Sequence, residues 1–193
     1  MQLKMNFFCL NVEMKEEVLI EKLKKQDRLA QKELFDKYKS LFYAIALRYA
    51  SSKDEAKDIL QETFMKIFAN IKKYSGTGSF EGWMKKILVN HSINYFRRNS
   101  KHFFEDVEKV KDISYDEIYK QNDFSYEEIF EAIKQLPLGY RTIFNLYAIE
   151  GYKHKEIAEM LNISENTSKS QYHRAKLFLQ YKLQQIKELK NEI

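Results

Sequence analysis

Apolar residues recur at helical spacing through most of the chain, and this pattern predicts an all-α protein. The clearest stretch covers residues 58–98 and reads as a helix, a glycine-containing loop and a second helix. The apolar positions of its first helix share one side of a helical wheel; they are Leu60, Phe64, Ile67, Phe68 and Ile71. The stripe predicted to be buried in its second helix is Trp83, Met84, Ile87, Leu88 and Tyr95.

Similar patterns predict helices on both sides of this stretch. Residues 16–29 and 31–50 precede it, and a serine-containing turn at 51–54 supplies a cap for the next helix. After it come predicted helices over residues 126–136, 140–150, 154–161 and 165–187. Pro137 ends the first of these and Gly151 caps the second. The chain is therefore expected to form two small helical domains.

The segment between these domains has weak periodicity and more acidic than basic residues. We expect a flexible acidic linker over residues 101–123, between a domain of residues 15–100 and a domain of residues 124–193. Two interpretations of the linker stay open: a solvated connector, or a nucleic-acid mimic that occupies a basic groove. Residues 1–14 form an uncertain N-terminal extension, since three early methionines leave the start ambiguous.

Composition narrows the functional classes. A net charge of +5 modestly favours an anionic partner. Cys9 is the single cysteine, which excludes a disulfide framework and fits a reducing cytoplasm. No apolar run approaches the roughly 20 residues that span a bilayer, so a membrane-embedded protein is not expected. The four histidines share no metal-ligand spacing, and no catalytic set is recognisable. We therefore expect no enzyme activity, no metal and no cofactor.

One polar surface lies opposite the apolar stripe of the first helix in residues 58–98. It consists of Asp58, Gln61, Glu62 and Met65, and we call it the acidic-amide ridge. These residues could be a solvated surface, and Glu62 could pair with Lys66 one helical turn later. An exposed methionine among them favours a protein contact.

A second polar surface lies on the helix that follows the loop. This helix is the fourth predicted in the chain and is called α4, within residues 79–98. One face carries Lys86, Asn90, Asn94 and Arg97, which we call the α4 surface, with Val89, Ile93 and Phe96 beside them. Cationic and amide groups interleaved with apolar ones suit a nucleic acid.

Residues 153–179 have the pattern of a helix-turn-helix. Ala158 is small where two helices approach, Asn162 suits a left-handed turn position, and Ser164 can cap the next helix. That helix presents a polar face that could enter a major groove, here called the recognition surface; it consists of Asn166, Lys169, Ser170, His173 and Arg174. The alternative is an ordinary helical hairpin with a solvated face.

Taken in order, these segments resemble the extracytoplasmic-function (ECF) sigma factors of the sigma-70 family. DILQETF (Asp58–Phe64) is similar to the core-binding signature of region 2. Ser79–Arg98 is similar to the promoter-melting segment, and Leu136–Leu179 to region 4. The resemblance implies a region 2 helical bundle and a region 4 helix-turn-helix.

The resemblance also implies partners and residue roles. The acidic-amide ridge would bind core RNA polymerase. Tyr74, Gly76 and the α4 surface would bind the minus-ten element, with Tyr74 stacking on a flipped base and Asn90 bonding its edge. The recognition surface would bind the minus-thirty-five element of promoter DNA. An anti-sigma factor, expected in the membrane, would hold the free protein.

Two other classes of function remain open from the residues. One is a helix-turn-helix repressor or activator that works without polymerase, with a first domain that dimerises or binds a small molecule. The other is a helical adaptor that binds only proteins. Transcription by purified core polymerase would separate all three classes.

Overall fold

A computed structural model describes residues 15–99 and 124–191, and in those ranges the regular structure is entirely helical. The helices of the first bundle are α1 Glu16–Lys24, α2 Arg28–Tyr49, α3 Lys53–Asn70 and α4 Phe80–Asn99, with a 3₁₀ turn at Ile71–Lys73. Those of the second bundle are α5 Tyr126–Lys134, α6 Leu138–Phe144, α7 His154–Leu161 and α8 Glu165–Asn191. The predicted linker (101–123) and N-terminal extension (1–14) lie outside the described residues.

Local side-chain caps set the helix boundaries of the first bundle. Helix α1 ends earlier than predicted because Gln26 has a positive φ of 61° and Asp27 is already the N-cap of α2. The Asp27 carboxylate accepts the backbone N–H of Ala30 at 2.9 Å. Ser52 caps α3, as predicted, by accepting the N–H of Glu55 at 3.1 Å. Helices α3 and α4, which carry two of the predicted surfaces, pack on α2 and on each other.

The second bundle contains a departure from regular α-helix. The sequence predicts one helix over residues 140–150. In the structure this helix begins at Leu138 and changes to a π-helical turn at Asn145–Ile149. The N–H of Glu150 donates to the carbonyl of Asn145 at 2.9 Å, and Gly151 follows with φ 77°. Such π turns change the direction of the side chains that they carry. Here the turn carries Asn145, which is fully buried.

The two bundles contact each other along α2–α6 and α4–α7. Ile143, Leu146 and Ile157 are fully buried and belong to the same apolar cluster as the core of the first bundle. Polar side chains of the second bundle also reach the end of α2. A second, smaller apolar cluster lies within the second bundle alone. Its buried members are Ala132, Ile133, Leu136, Tyr140, Ala175 and Leu179.

Within the described ranges, none of the helices combines the length and apolar composition that a bilayer crossing requires.

Candidate functional site

The acidic-amide ridge lies on the exposed side of α3. Asp58, Gln61 and Glu62 are exposed, and Met65 is 63% exposed. The opposite side of α3 is buried in the first bundle; its buried residues are Ala56, Ile59, Thr63, Phe64 and Ile67. An exposed methionine flanked by acids and an amide leaves both apolar and polar contacts available to a partner.

A buried histidine connects this ridge to α4. The side chain of Lys66, considered as a partner for Glu62, instead donates to Nδ1 of His91 at 2.7 Å. On the other side of the ring, Nε2 of His91 lies 3.3 Å from a carboxylate oxygen of Glu62. Because Nδ1 accepts a hydrogen bond, the proton of a neutral ring is on Nε2, which faces Glu62. His91 therefore fixes α3 and α4 relative to each other directly beneath the ridge.

The loop between the 3₁₀ turn and α4 is held by an aromatic cluster. The ring of Tyr74 lies 5.1 Å from that of Phe80 and 5.4 Å from that of Trp83, between centroids. Its hydroxyl donates to the carbonyl of Gly78 at 2.8 Å, which closes the loop. Gly76 has φ 82°, a left-handed conformation that glycine adopts without strain.

The position of Tyr74 differs from the expectation of a base-stacking residue. Tyr74 is only 6% exposed, so its ring has no open face for a base in this conformation. Gly76, at the tip of the loop, is exposed and has nothing within 4 Å of an added Cβ. The exposed part of the loop is therefore its glycine-containing tip, and Tyr74 supports that tip from inside.

The α4 surface is mostly exposed and contacts the second bundle through Arg97. Lys86 and Asn94 are exposed and Asn90 is half-buried. Arg97 donates from Nη1 to the backbone carbonyl of Met160 in α7, at 3.4 Å. Val89 and Ile93, predicted to flank this polar face, are 1% and 2% exposed. The sequence alone did not indicate this burial, because the packing of α7 on α4 is a contact between segments far apart in the chain.

The turn of the helix-turn-helix has the predicted conformation. Asn162 has φ 55°, in the left-handed region, and the N–H of Ile163 donates to the carbonyl of Ala158 at 3.0 Å. Ser164 accepts the N–H of Thr167 at 2.9 Å and so caps α8. At the start of α7, Lys153 lacks a capping side chain, but the carboxylate of Glu156 accepts its backbone N–H at 2.7 Å. Each helix of the motif therefore begins with one backbone N–H bonded to a side-chain oxygen.

The recognition surface lies along the exposed side of α8. All five of its members are exposed: Asn166, Lys169, Ser170, His173 and Arg174. Lys169 pairs with Glu165 at 2.7 Å, which lowers the pKa of that carboxyl, mainly through the hydrogen bond from Lys169. A phosphate that binds Lys169 would have to compete with this exposed ion pair, and such pairs contribute little to stability.

One polar contact inside the motif was not predicted. Ser168 occupies the inward face of α8 and is fully buried, where an apolar side chain would pack better. Its hydroxyl lies 2.9 Å from Nδ1 of His154 on α7, which satisfies the buried oxygen. The ring of His154 stacks on Tyr147 with centroids 4.2 Å apart. Burial, and next the charge of Lys169, lower the pKa of His154.

Comparison with protein families gives two matches in chain order. Residues 34–102 match the family model described as Sigma-70 region 2. Residues 126–179 match the model described as Sigma-70, region 4. The first match contains the acidic-amide ridge, the loop and the α4 surface, and the second contains the whole helix-turn-helix.

Similar proteins carry matching descriptions. RNA polymerase sigma factor SigV of Bacillus subtilis is 30% identical to this chain over 138 residues. The match covers 72% of this chain and 81% of SigV. ECF RNA polymerase sigma-E factor of Haemophilus influenzae is 27% identical over 183 residues, which cover 89% of this chain and 96% of that protein. Among solved structures, the sigma factor RpoE of Bartonella quintana, in complex with the anti-sigma factor NepR, shares 23% identity. That match covers 79% of this chain and 96% of RpoE, with a TM-score of 0.49.

Proposed function

The chain belongs to the sigma-70 family of RNA polymerase sigma factors, with ECF sigma factors among its relatives, and on that premise we propose how it starts transcription. It binds core RNA polymerase, recognises the minus-ten and minus-thirty-five elements of a promoter, and promotes initiation. The observation that carries this proposal is the pair of family matches, in order, on two helical bundles. The protein is itself no enzyme and acts in the cytoplasm, where the polymerase is.

We assign each step to one surface. The acidic-amide ridge binds the polymerase, supported by the exposure of Asp58, Gln61 and Glu62 on one side of a rigid helix. Met65, which is 63% exposed, adds apolar contact area to that interface. The domain bounds proposed above, 15–100 and 124–193, place this ridge in the first domain.

The minus-ten element is assigned to the loop and the α4 surface. Opening the duplex requires a base to leave the stack, and a protein stabilises the open strand by receiving that base. The tip at Gly76 lets a nucleotide approach closely, and the amide of Asn90, with Asn94, can bond its edge. Lys86 and Arg97 hold phosphates. Direct stacking by Tyr74 requires its ring to leave the Phe80–Trp83 cluster, so its first role is to shape the loop.

The minus-thirty-five element is assigned to the recognition surface. Arg174, Lys169 and His173 supply donors, and Asn166 and Ser170 supply shorter polar groups near the beginning of α8, the part of a recognition helix that reaches base edges. Phosphate contacts from cationic residues make such binding weaker as salt rises. Binding to isolated DNA is expected to be weak because the polymerase sets the spacing between the two domains.

The family resemblance also supports an anti-sigma factor, expected to be membrane-bound, as the partner that holds the free chain. RpoE of Bartonella quintana, as its description states, was solved in complex with an anti-sigma factor, NepR.

The test is run-off transcription with purified core polymerase that lacks any sigma factor, on genomic promoter fragments. Discrete transcripts that depend on the added protein are the expected result. A complex of protein and core polymerase should also elute together from a sizing column. Tight binding of the lone protein to an operator, with no transcripts and no complex, would overturn the proposal in favour of a repressor.

A further inference from the structure

We infer that His91 is a positioning residue for polymerase binding: it orients the carboxylate of Glu62 on the acidic-amide ridge, and Lys66 sets the ring tautomer that makes this possible. The inference rests on the proposed function of the ridge as the polymerase-binding surface. The observation that carries it is a connected set of three side chains, in which the buried ring contacts Lys66 on one side and Glu62 on the other.

The side chains of this set differ in exposure. That of His91 is only 5% exposed, whereas that of Glu62 is 52% exposed. A large partner can therefore contact Glu62 but has almost no access to the ring while α3 and α4 stay packed together. His91 affects such a partner through the residues that lie above it, and Glu62 is the ridge residue that its ring contacts.

Lys66 determines which ring nitrogen of His91 carries the proton. An ammonium group has donors only, so Nδ1 of the ring, 2.7 Å from Nζ of Lys66, must accept the hydrogen bond. The neutral ring therefore carries its proton on Nε2, which lies 3.3 Å from a carboxylate oxygen of Glu62. The opposite tautomer, which is available only without the bond from Lys66, would place a lone pair against that carboxylate.

A neutral ring between the two charges orients the carboxylate and leaves its charge in place. Glu62 and Lys66 are one turn apart on α3, at the spacing of a direct ion pair. Such a pair would neutralise the carboxylate that a cationic group of the polymerase would bind. Because Lys66 donates to His91 instead, its effect on Glu62 passes through the ring.

The contact between the ring and Glu62 contributes order more than bond strength. At 3.3 Å it is longer than a charge-assisted hydrogen bond of about 2.7–2.9 Å. A long side chain that is free on a helix surface has to lose its rotamer freedom when a partner binds it. A carboxylate that is already oriented avoids part of this loss, which corresponds to about a two- to tenfold gain in affinity.

The first experiment compares two amides, each of which keeps one half of the imidazole in the full chain. His91→Gln keeps an N–H near the position of Nε2, and His91→Asn keeps an acceptor near the position of Nδ1. Affinity for sigma-free core polymerase is measured by fluorescence anisotropy of the labelled chain. His91→Gln should bind within about twofold of the wild type, and His91→Asn about two- to tenfold more weakly.

A double-variant cycle shows whether His91 acts through Glu62. Glu62→Ala alone should weaken binding, and adding His91→Asn to it should cost nothing more, because the carboxylate to be oriented is gone. A ring that only supports packing would reduce the affinity by the same factor in both backgrounds, and that result would overturn the inference. Equal affinity of His91→Asn and the wild type would overturn it too.

Lys66→Met is a milder variant at a half-buried position and tests the tautomer. Nitrogen-15 NMR of the free wild-type chain should show the His91 ring protonated on Nε2. Lys66→Met should lose that preference and bind core polymerase about two- to tenfold more weakly. Lys53→Met removes the same charge from an exposed position at the start of α3 and is the matched control. A wild-type ring protonated on Nδ1 would contradict the inference.

Failure of this inference and failure of the proposed function give different results. A wild-type chain that forms no complex with core polymerase would overturn the proposed function and this inference with it. A wild-type complex whose affinity is the same in the His91→Asn and Lys66→Met variants would overturn only the inference.

Discussion

The buried ring of His91 on α4 accepts a hydrogen bond from the ammonium of Lys66 on α3, at 2.7 Å. His91 is 6% exposed, so replacing it by alanine removes both this bond and packing between the two helices. We predict that His91→Ala lowers the free energy of unfolding by about 1–3 kcal/mol, measured by urea denaturation. The control is Lys72→Ala at an exposed position of the same bundle, which should change the free energy of unfolding by no more than about 0.5 kcal/mol.

The acidic-amide ridge can be tested without disturbing the core. The double variant Asp58→Ala with Gln61→Ala should lose co-purification with core polymerase while its circular dichroism and melting temperature stay near those of the wild type. Both side chains are exposed, so their loss affects a partner and not the packing. Asp54→Ala, an exposed carboxylate one turn earlier on α3, should still co-purify. Normal recovery of the double variant with polymerase would refute the assignment.

The recognition surface makes a prediction about affinity. Arg174→Ala should weaken binding of the holoenzyme to promoter duplex by roughly 1–3 kcal/mol if the guanidinium bonds a base in two places. Footprinting or fluorescence anisotropy at fixed salt measures the change. Arg28→Ala removes the same charge from an exposed position in the first bundle and is the control. Equal effects of both variants would mean that Arg174 contributes only general charge.

The turn of the helix-turn-helix depends on one backbone conformation. Asn162 has φ 55°, and a side chain with a Cβ but no local hydrogen bonding is strained there. Asn162→Ala should therefore destabilise the protein by about 1 kcal/mol, whereas Asn162→Gly should be tolerated. Thermal melts of the two variants decide the point. An alanine variant as stable as the glycine variant would contradict the strain.

His154 gives the protein a dependence on pH. Burial and the charge of Lys169 hold its pKa below the ordinary value of 6.5. His154 therefore binds a proton more readily in the unfolded chain than in the folded one. The neutral, packed form of His154 stabilises the fold fully above pH 6.5, and this stabilisation is lost as the pH falls through the pKa of His154 in the folded protein. The urea concentration at the midpoint of unfolding should therefore decrease as the pH is lowered from 7.5 to 5.5. His154→Gln should show a smaller fall, and an identical fall in both proteins would exclude His154 as the cause.

Features fixed by neighbouring residues could be predicted from the sequence. The left-handed Asn162, the cap at Ser164 and the cap at Ser52 each depend on residues within three or four positions. The exposure of the recognition surface followed equally from helical periodicity. In these places local chemistry and the final fold agree.

Features that depend on distant segments could not be predicted in this way. Tyr74 was expected to stack on a flipped base, but its ring packs against those of Phe80 and Trp83. Ser168 is buried where an apolar side chain would pack better, and His154, fourteen positions earlier, satisfies its hydroxyl. Val89 is buried, and Asn145 donates to the carbonyl of Arg48 near the end of α2. Both features depend on how the two bundles meet, and helical periodicity within one segment carries no information about that contact.

The apolar cluster shared by the bundles has a consequence for solubility. Ile143, Leu146 and Ile157 have no exposure in the closed arrangement, so separating the bundles would present their side chains to water. Large exposed apolar patches promote self-association. A chain whose bundles separate in the absence of polymerase would therefore aggregate at a lower concentration than one whose bundles stay in contact.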